Sequence, residues 1–183
     1  TSLARIMMPE LEAHLGKDVK QGAVVMSLKR LSEELDFKIN YKISKVLKNI
    51  GEITVRSSLT DYTFVISNTL LENQAKLLSE INKLQDIFYT SSRGVNETNI
   101  VTSASVGPII DALFKGEKLT HKIENLSSIT VKLPQENIST PGVYYYIFQR
   151  LAWEGVIIHE VISTTNEFTV IVSDEQIDIA FKV

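Results

Sequence analysis

At 183 residues, with 44% apolar and 22% charged side chains, the chain is long enough for one large domain or two small ones and too apolar for disorder. It contains no cysteine, which excludes disulfides, thiolate metal sites and cysteine nucleophiles and points to a reducing, cytoplasmic compartment. The net charge of −3 is unevenly divided: residues 1–50 hold nine basic against six acidic side chains, and the remainder is acidic. The longest apolar run, 143–158, is interrupted by Arg150 and Glu154 and falls short of the roughly 20 residues a membrane-spanning helix needs.

Residues 1–50 read as helical throughout. Ser2 precedes a helical run that stops at Gly16, and Asp18 opens a second helix with Gln21 at capping-box spacing. Val24, Val25, Leu28, Leu31 and Leu35 form its apolar face, and 41–49 reads as a third helix. Two helices joined at a glycine turn, with Lys20, Gln21, Lys29 and Arg30 off the apolar face of the second, resemble a helix-turn-helix. Those four residues are the candidates for contact with nucleic-acid phosphates.

Beyond Gly51 the periodicity changes. Two β-rich runs, 53–58 and 60–67, read as consecutive strands, and Leu70, Leu71, Leu77, Leu78, Ile81 and Leu84 recur with helical spacing. Strands at 87–92 and 97–104, a turn at 93–96, a helix at 106–116 and a strand at 119–123 complete the order βαββαβ. The same order restarts at once: a strand at 127–134, a loop at 137–142, a helix at 143–155, strands at 156–164 and 167–173, and a helix from 175. Only its last strand is not seen. The expected fold class is therefore α+β, with two tandem ferredoxin-like units, 51–125 and 126–183, preceded by a small helical segment, 1–50. Each unit is expected to be a four-stranded antiparallel sheet with two helices on one face.

In the second unit, Pro141-Gly142-Val143 enters the helix, Leu151 to Val156 closes it, and the run 154–164 is followed by the acidic turn Asp174-Glu175. These features resemble an ACT domain, in particular the regulatory repeats of aspartate kinases. The resemblance covers 127–183. The first unit is similar in layout, but its strand-to-helix loop, Asn68-Thr69-Leu70, lacks the Pro-Gly pair. A helix entry focuses unpaired amides where an anion can dock; Gly142 admits close backbone approach and Pro141 presets the turn. The resemblance implies an amino acid held between Asn137, Ile138, Ser139, Thr140, Pro141 and Gly142 and the start of the next strand of a paired repeat, Val156, Ile157 and Ile158. Asn137 and Ser139 would hold its polar head.

No motif for catalysis appears: there is no GxGxxG, P-loop, GxSxG or HExxH, and His14, His121 and His159 stand in separate segments without metal spacing. Tyr144, Tyr145 and Tyr146 are consecutive and cannot share one helix face, and Trp153 reads as a core or interface side chain. The expected function is that of a non-enzymatic regulator without cofactor or metal. It binds a small molecule, an amino acid, at a repeat or subunit interface and controls amino-acid metabolism as a homodimer or higher oligomer, without a membrane. The alternatives are the regulatory part of an aspartate kinase, or a ligand-responsive transcription regulator that binds DNA through its first helices.

Overall fold

The computed structural model describes residues 2–183, with the side chains of 33–42 excepted. The expected place of the Leu35 side chain on the apolar face of the second helix therefore lies outside the described residues. The chain forms two compact units, one of residues 1–49 with 136–143 and one of 50–135 with 144–183.

In the first unit, α1 (Ser2–Leu15) and α2 (Gln21–Lys48) flank a turn in which Gly16 adopts φ 65°. Ala4, Val24, Ile43, Val46 and Val143 are its buried apolar residues among those described. Two expectations are corrected. Asp18 does not cap α2: the helix begins at Gln21 with Lys20 at its N-cap and no side-chain cap. The amide of Val19 is taken instead by the Glu12 carboxylate at 3.2 Å, which holds the chain extended past Asp18. Residues 41–48 do not form a third helix but continue α2, because no glycine or proline lies between Ala23 and Lys48 to stop the hydrogen-bond ladder.

The second unit is built on a sheet of six antiparallel strands among the described residues, in the order β2-β3-β1-β4-β6-β5. The strands are β1 (Ile53–Val65), β2 (Tyr89–Arg93), β3 (Glu97–Ser103), β4 (Leu119–Lys132), β5 (Glu160–Ser163) and β6 (Glu167–Ser173). Helices α3 (Leu70–Ile81) and α4 (Gly107–Leu113) cover the β1–β3 half, and α5 (Val143–Trp153) and α6 (Ile177–Lys182) cover the β4–β6 half.

The two β-rich runs at 53–58 and 60–67 are a single strand, and so are 119–123 and 127–134. Ser58 (φ 59°) and Asn125 (φ 58°) take up the left-handed backbone at matching places, and the β1–β4 register shifts there. Each inserts one residue and so rephases the alternation of side chains. Tyr62 and Phe64 thus face α3 and α4 while Ile129 and Val131 face α5 and α6. A turn and a bulge use the same residue types, which is why both sites read as strand ends.

The long strands also account for the strand not seen in the second repeat. Ile53 to Arg56, the first part of β1, pairs with Val131 to Ser128, while Asp61 to Thr63 pairs with Ile123 to His121. Each long strand therefore serves both halves. Its first part is the fourth strand of one and its last part is the first strand of the other.

Each half has a helix-side core. Tyr62, Phe64, Leu70, Leu77, Ile100, Ile110 and Phe114 form one, with Phe64 stacked on Phe114 at 4.9 Å. Ile129, Leu133, Leu151, Phe168, Val170 and Val172 form the other, with Tyr144 stacked on Phe168 at 5.0 Å. Tyr145 and Trp153 point outward, 65% and 70% exposed, so Trp153 is not a core side chain. On the helix-free face, Leu59, Val101, Leu126 and Ile171 form a third cluster against Phe88 and Ile162.

Candidate functional site

The corner that precedes α5 is built on a 3₁₀ turn, Gln135–Ser139. The hydroxyls of Ser139 and Thr140 donate to the Glu136 carbonyl at 3.2 and 2.8 Å, and the Thr140 amide donates to the Asn137 carbonyl at 3.3 Å. Asn137 is buried, Ile138 is 68% exposed, and Gly142 has φ 92°, a conformation that side chains resist. Asn137, Ile138, Ser139, Thr140, Pro141 and Gly142 thus form one local cluster at the entry to a helix, where first-turn amides lack intrahelical acceptors.

Val156, Ile157 and Ile158 lie in the connection from α5 to β5. The expected strand start at 156 is corrected to Glu160. The reason is a clamp: Gln176 accepts the Ile157 amide at 3.0 Å and donates through Nε2 to the Gly155 carbonyl at 3.1 Å, while the Val156 amide returns to Leu151. Val156 is buried in the second core and Ile157 is 64% exposed.

In the first repeat the related corner is already filled. Ser67 Oγ accepts the Leu70 amide at the start of α3, and the Glu117 carboxylate sits beside it. That carboxylate accepts hydrogen bonds from Ser67 Oγ at 2.5 Å, Thr69 Oγ1 at 2.7 Å and Asn73 Nδ2 at 2.8 Å. An acidic side chain of the protein itself thus holds the place at a helix N-terminus where an anion would dock. Phe64 faces Leu119 as Val131 faces Ile53, so the residue related to Glu117 in the second repeat is Gly51, which carries no carboxylate. Nothing in the sequence flagged Glu117, because its partners are 44 to 50 residues away.

Burial pulls the Glu117 carboxyl upward, but the hydrogen bonds from Ser67, Thr69 and Asn73 together outweigh it and hold the group below its usual 4.5. An acid lowered on folding stabilises above its unfolded value and loses that contribution as the pH falls through its folded value. Glu117→Gln is therefore expected to cost about 1 kcal/mol at neutral pH. The gap to the wild type should close once Glu117 is protonated, which thermal melts of both proteins from pH 7 down to pH 3 will read. An equal gap at every pH would mean that the carboxylate charge has no part in holding the corner.

On α2, Gln21, Lys29 and Arg30 follow Lys20 at the N-cap; Lys20, Lys29 and Arg30 are exposed and Gln21 is half-buried. Lys29 and Arg30 are about 100° apart around the helix, so they do not form one row. Of the three histidines, His14 lies in the last turn of α1, while His121 and His159 are brought together with Asp61 and Glu160 in one cleft on the helix-free face. Among the described residues no group of three or more ligating side chains is arranged to hold a metal. The one clue to this cleft in the sequence is Asp61, an acid between Thr60 and Tyr62 in an otherwise buried stretch of strand.

No family model matches the sequence, and no curated protein matches it either. Solved structures do. Aspartate kinase from Clostridium acetobutylicum superposes with a TM-score of 0.59 at 19% identity, over 73% of this chain and 33% of that one. The regulatory subunit of aspartate kinase from Thermus thermophilus superposes with a TM-score of 0.57 at 11% identity, over 73% of this chain and 94% of that one. The chain has the fold of aspartate kinase regulatory domains. Its antiparallel sheet and the βαββαβ order of its elements follow the plan of those domains. Escherichia coli aspartokinase III, solved in complex with lysine and aspartate, matches with a TM-score of 0.52 at 9% identity, over 72% of this chain and 31% of that one. The chain thus spans about a third of the length of the two full-length kinases and nearly all of the regulatory subunit. No described helix is long and apolar enough to cross a membrane.

Proposed function

We propose that this chain is a non-enzymatic, cytoplasmic ACT regulatory module that binds an amino acid at the Asn137–Gly142 corner of its second repeat, at a repeat or subunit interface, and so regulates amino-acid metabolism. The observation that carries this reading is the contrast between the two corners. In the first repeat a side-chain carboxylate, Glu117, fills the helix entry; in the second the related residue is Gly51. The second corner is the one left for a carboxylate brought by a ligand, and Pro141 and Gly142 shape its approach. Val156, Ile157 and Ile158 of a paired repeat supply its other wall. Binding at an interface shifts assembly, because a ligand moves only those equilibria whose states it binds unequally. A homodimer or higher oligomer formed through sheet edges is the form that would respond.

A second reading, the regulatory part of an aspartate kinase, is favoured by the third of the kinase length that the chain spans. Contact with DNA through Lys20, Gln21, Lys29 and Arg30 has no comparable support.

Calorimetry and thermal melts against the twenty amino acids test the proposal. At least one should raise the melting temperature in a dose-dependent way, and Gly142→Val should remove the response. A flat response to all twenty, or an undiminished response in Gly142→Val, would overturn it.

A further inference from the structure

The helix-free face of the sheet carries a cleft of about 420 Å³, lined by Asp61, Asn99 and His121 near its middle and by Glu97, His159 and Glu160 toward the sheet edges. Its walls come from the β2–β3 hairpin and from the start of β5, the opposite ends of the strand order. The sheet therefore curls until both edges border the same opening. Among the described residues, three carboxylates face the cleft and no lysine or arginine does. Asp61 is only 6% exposed, and the one hydrogen bond to its carboxylate among the described residues comes from Asn99 Nδ2 to Oδ1, at 2.6 Å. Its second oxygen has no hydrogen-bond donor among the described residues and opens to the cleft, where it is the acceptor left for a cation.

The fold itself does not require this acid. Asp61 faces Val101 as Ser128 faces Ile171, so the second half of the same sheet has a serine at the related position. By the same register Asn99 corresponds to Thr169, His121 to Thr54 and Glu160 to Thr90. The first half thus carries Asp61, Asn99 and His121 where the second has Ser128, Thr169 and Thr54, and the second carries Glu160 where the first has Thr90, so the repeat itself calls for none of the four.

We infer that this cleft is a binding site for a small organic ammonium cation, with the Asp61 carboxylate as its principal acceptor. An ammonium group supplies N–H donors for Asp61 Oδ2 and for the amide oxygen of Asn99, whose Nδ2 is already committed to Asp61. Glu97 and Glu160 attract the charge, and Ile123 offers an apolar wall to the carbon chain. A bare metal fits less well, since no set of described side chains has metal-holding geometry. The site is separate from the Asn137–Gly142 corner and takes a ligand without a carboxylate.

Burial first and the Glu160 charge second raise the Asp61 carboxyl above its usual 3.8, against the opposing hydrogen bond from Asn99 and the nearby His159 and His121. Two results follow. Ammonium binding weakens as the pH falls and Asp61 takes up a proton. An acid raised on folding loses stability as the pH rises through its folded value, so Asp61→Asn should melt higher than the wild type near pH 7, and the gap should vanish at about pH 4.

The test is a set of thermal melts and calorimetric titrations at pH 7.5 with the chloride salts of methylamine, ethanolamine and 1,4-diaminobutane. Tetramethylammonium chloride, which has charge but no N–H donor, and sodium chloride at matched ionic strength serve as references. At least one of the amines should stabilise the wild type beyond both references, and Asp61→Asn should weaken its binding by about tenfold or more. Glu160→Gln provides a second variant should Asp61→Asn not fold, and should weaken binding too. No amine effect beyond sodium chloride, an equal effect of tetramethylammonium, or full binding by both variants would overturn the site. Since none of these probes carries a carboxylate, their failure leaves the amino-acid reading untouched, and a null amino-acid screen leaves this one untouched.

Discussion

Expressed alone, residues 126–183 are expected to remain unfolded, and the addition of residues 51–125 to restore their structure. The fragment retains the last part of β4 with β5, β6, α5 and α6, but its fourth strand is Ile53 to Arg56, which lies in the other fragment. Without it, Ser128 to Val131 become an open edge with unpaired backbone groups. The fragment also loses the Leu59 and Val101 side of the third cluster, on which Leu126 and Ile171 are buried. A chain of this size buries a smaller fraction of its surface than a larger domain even when complete, so the loss of both an edge strand and part of a core leaves too little to offset chain entropy. Far-UV circular dichroism and amide NMR dispersion of the fragment, before and after mixing, read the outcome. A cooperative melt of 126–183 by itself would show that β1 is not shared between the repeats.

The second large effect lies at the centre of that sharing. Leu59 and Leu126 face each other across β1 and β4 and are 1% and 0% exposed. Leu59→Ala and Leu126→Ala are each expected to cost about 3 kcal/mol, from lost burial plus a cavity that the surrounding strands cannot close. The double variant should lose less than the sum, because the two truncations open one shared void. Leu71→Ala on α3, where the side chain is 56% exposed, should change stability by no more than about 0.5 kcal/mol. Urea unfolding of the wild type and the four variants measures all of this. Costs under about 1 kcal/mol at both central leucines would mean that the third cluster does not join the two halves.

The two effects share a cause in the bulges. Ser58 and Asn125 let each strand bend and change phase without ending, so the same chain segment can work in two repeats. The curl that follows brings His159 and Glu160 of one half beside Asp61 and Asn99 of the other. Structural economy in β1 and β4 thereby creates the cleft proposed to take an ammonium group.

Much was legible in the residues alone: the helical start, the repeated βαββαβ order, and the Pro141-Gly142 entry to α5. Each is written in local code, as a spacing of two or 3.6 residues or as a backbone preference within a few positions. Tertiary structure alone decided that β1 and β4 run through their apparent turns, that Ile53 to Arg56 completes the second repeat, that Glu117 closes the first corner, and that Gln176 delays β5 to Glu160. It also decided that Asp61, His121, His159 and Glu160 meet. These features depend on pairings between residues tens of positions apart, and a strand's sequence records which of its sides is apolar without recording which strand lies beside it.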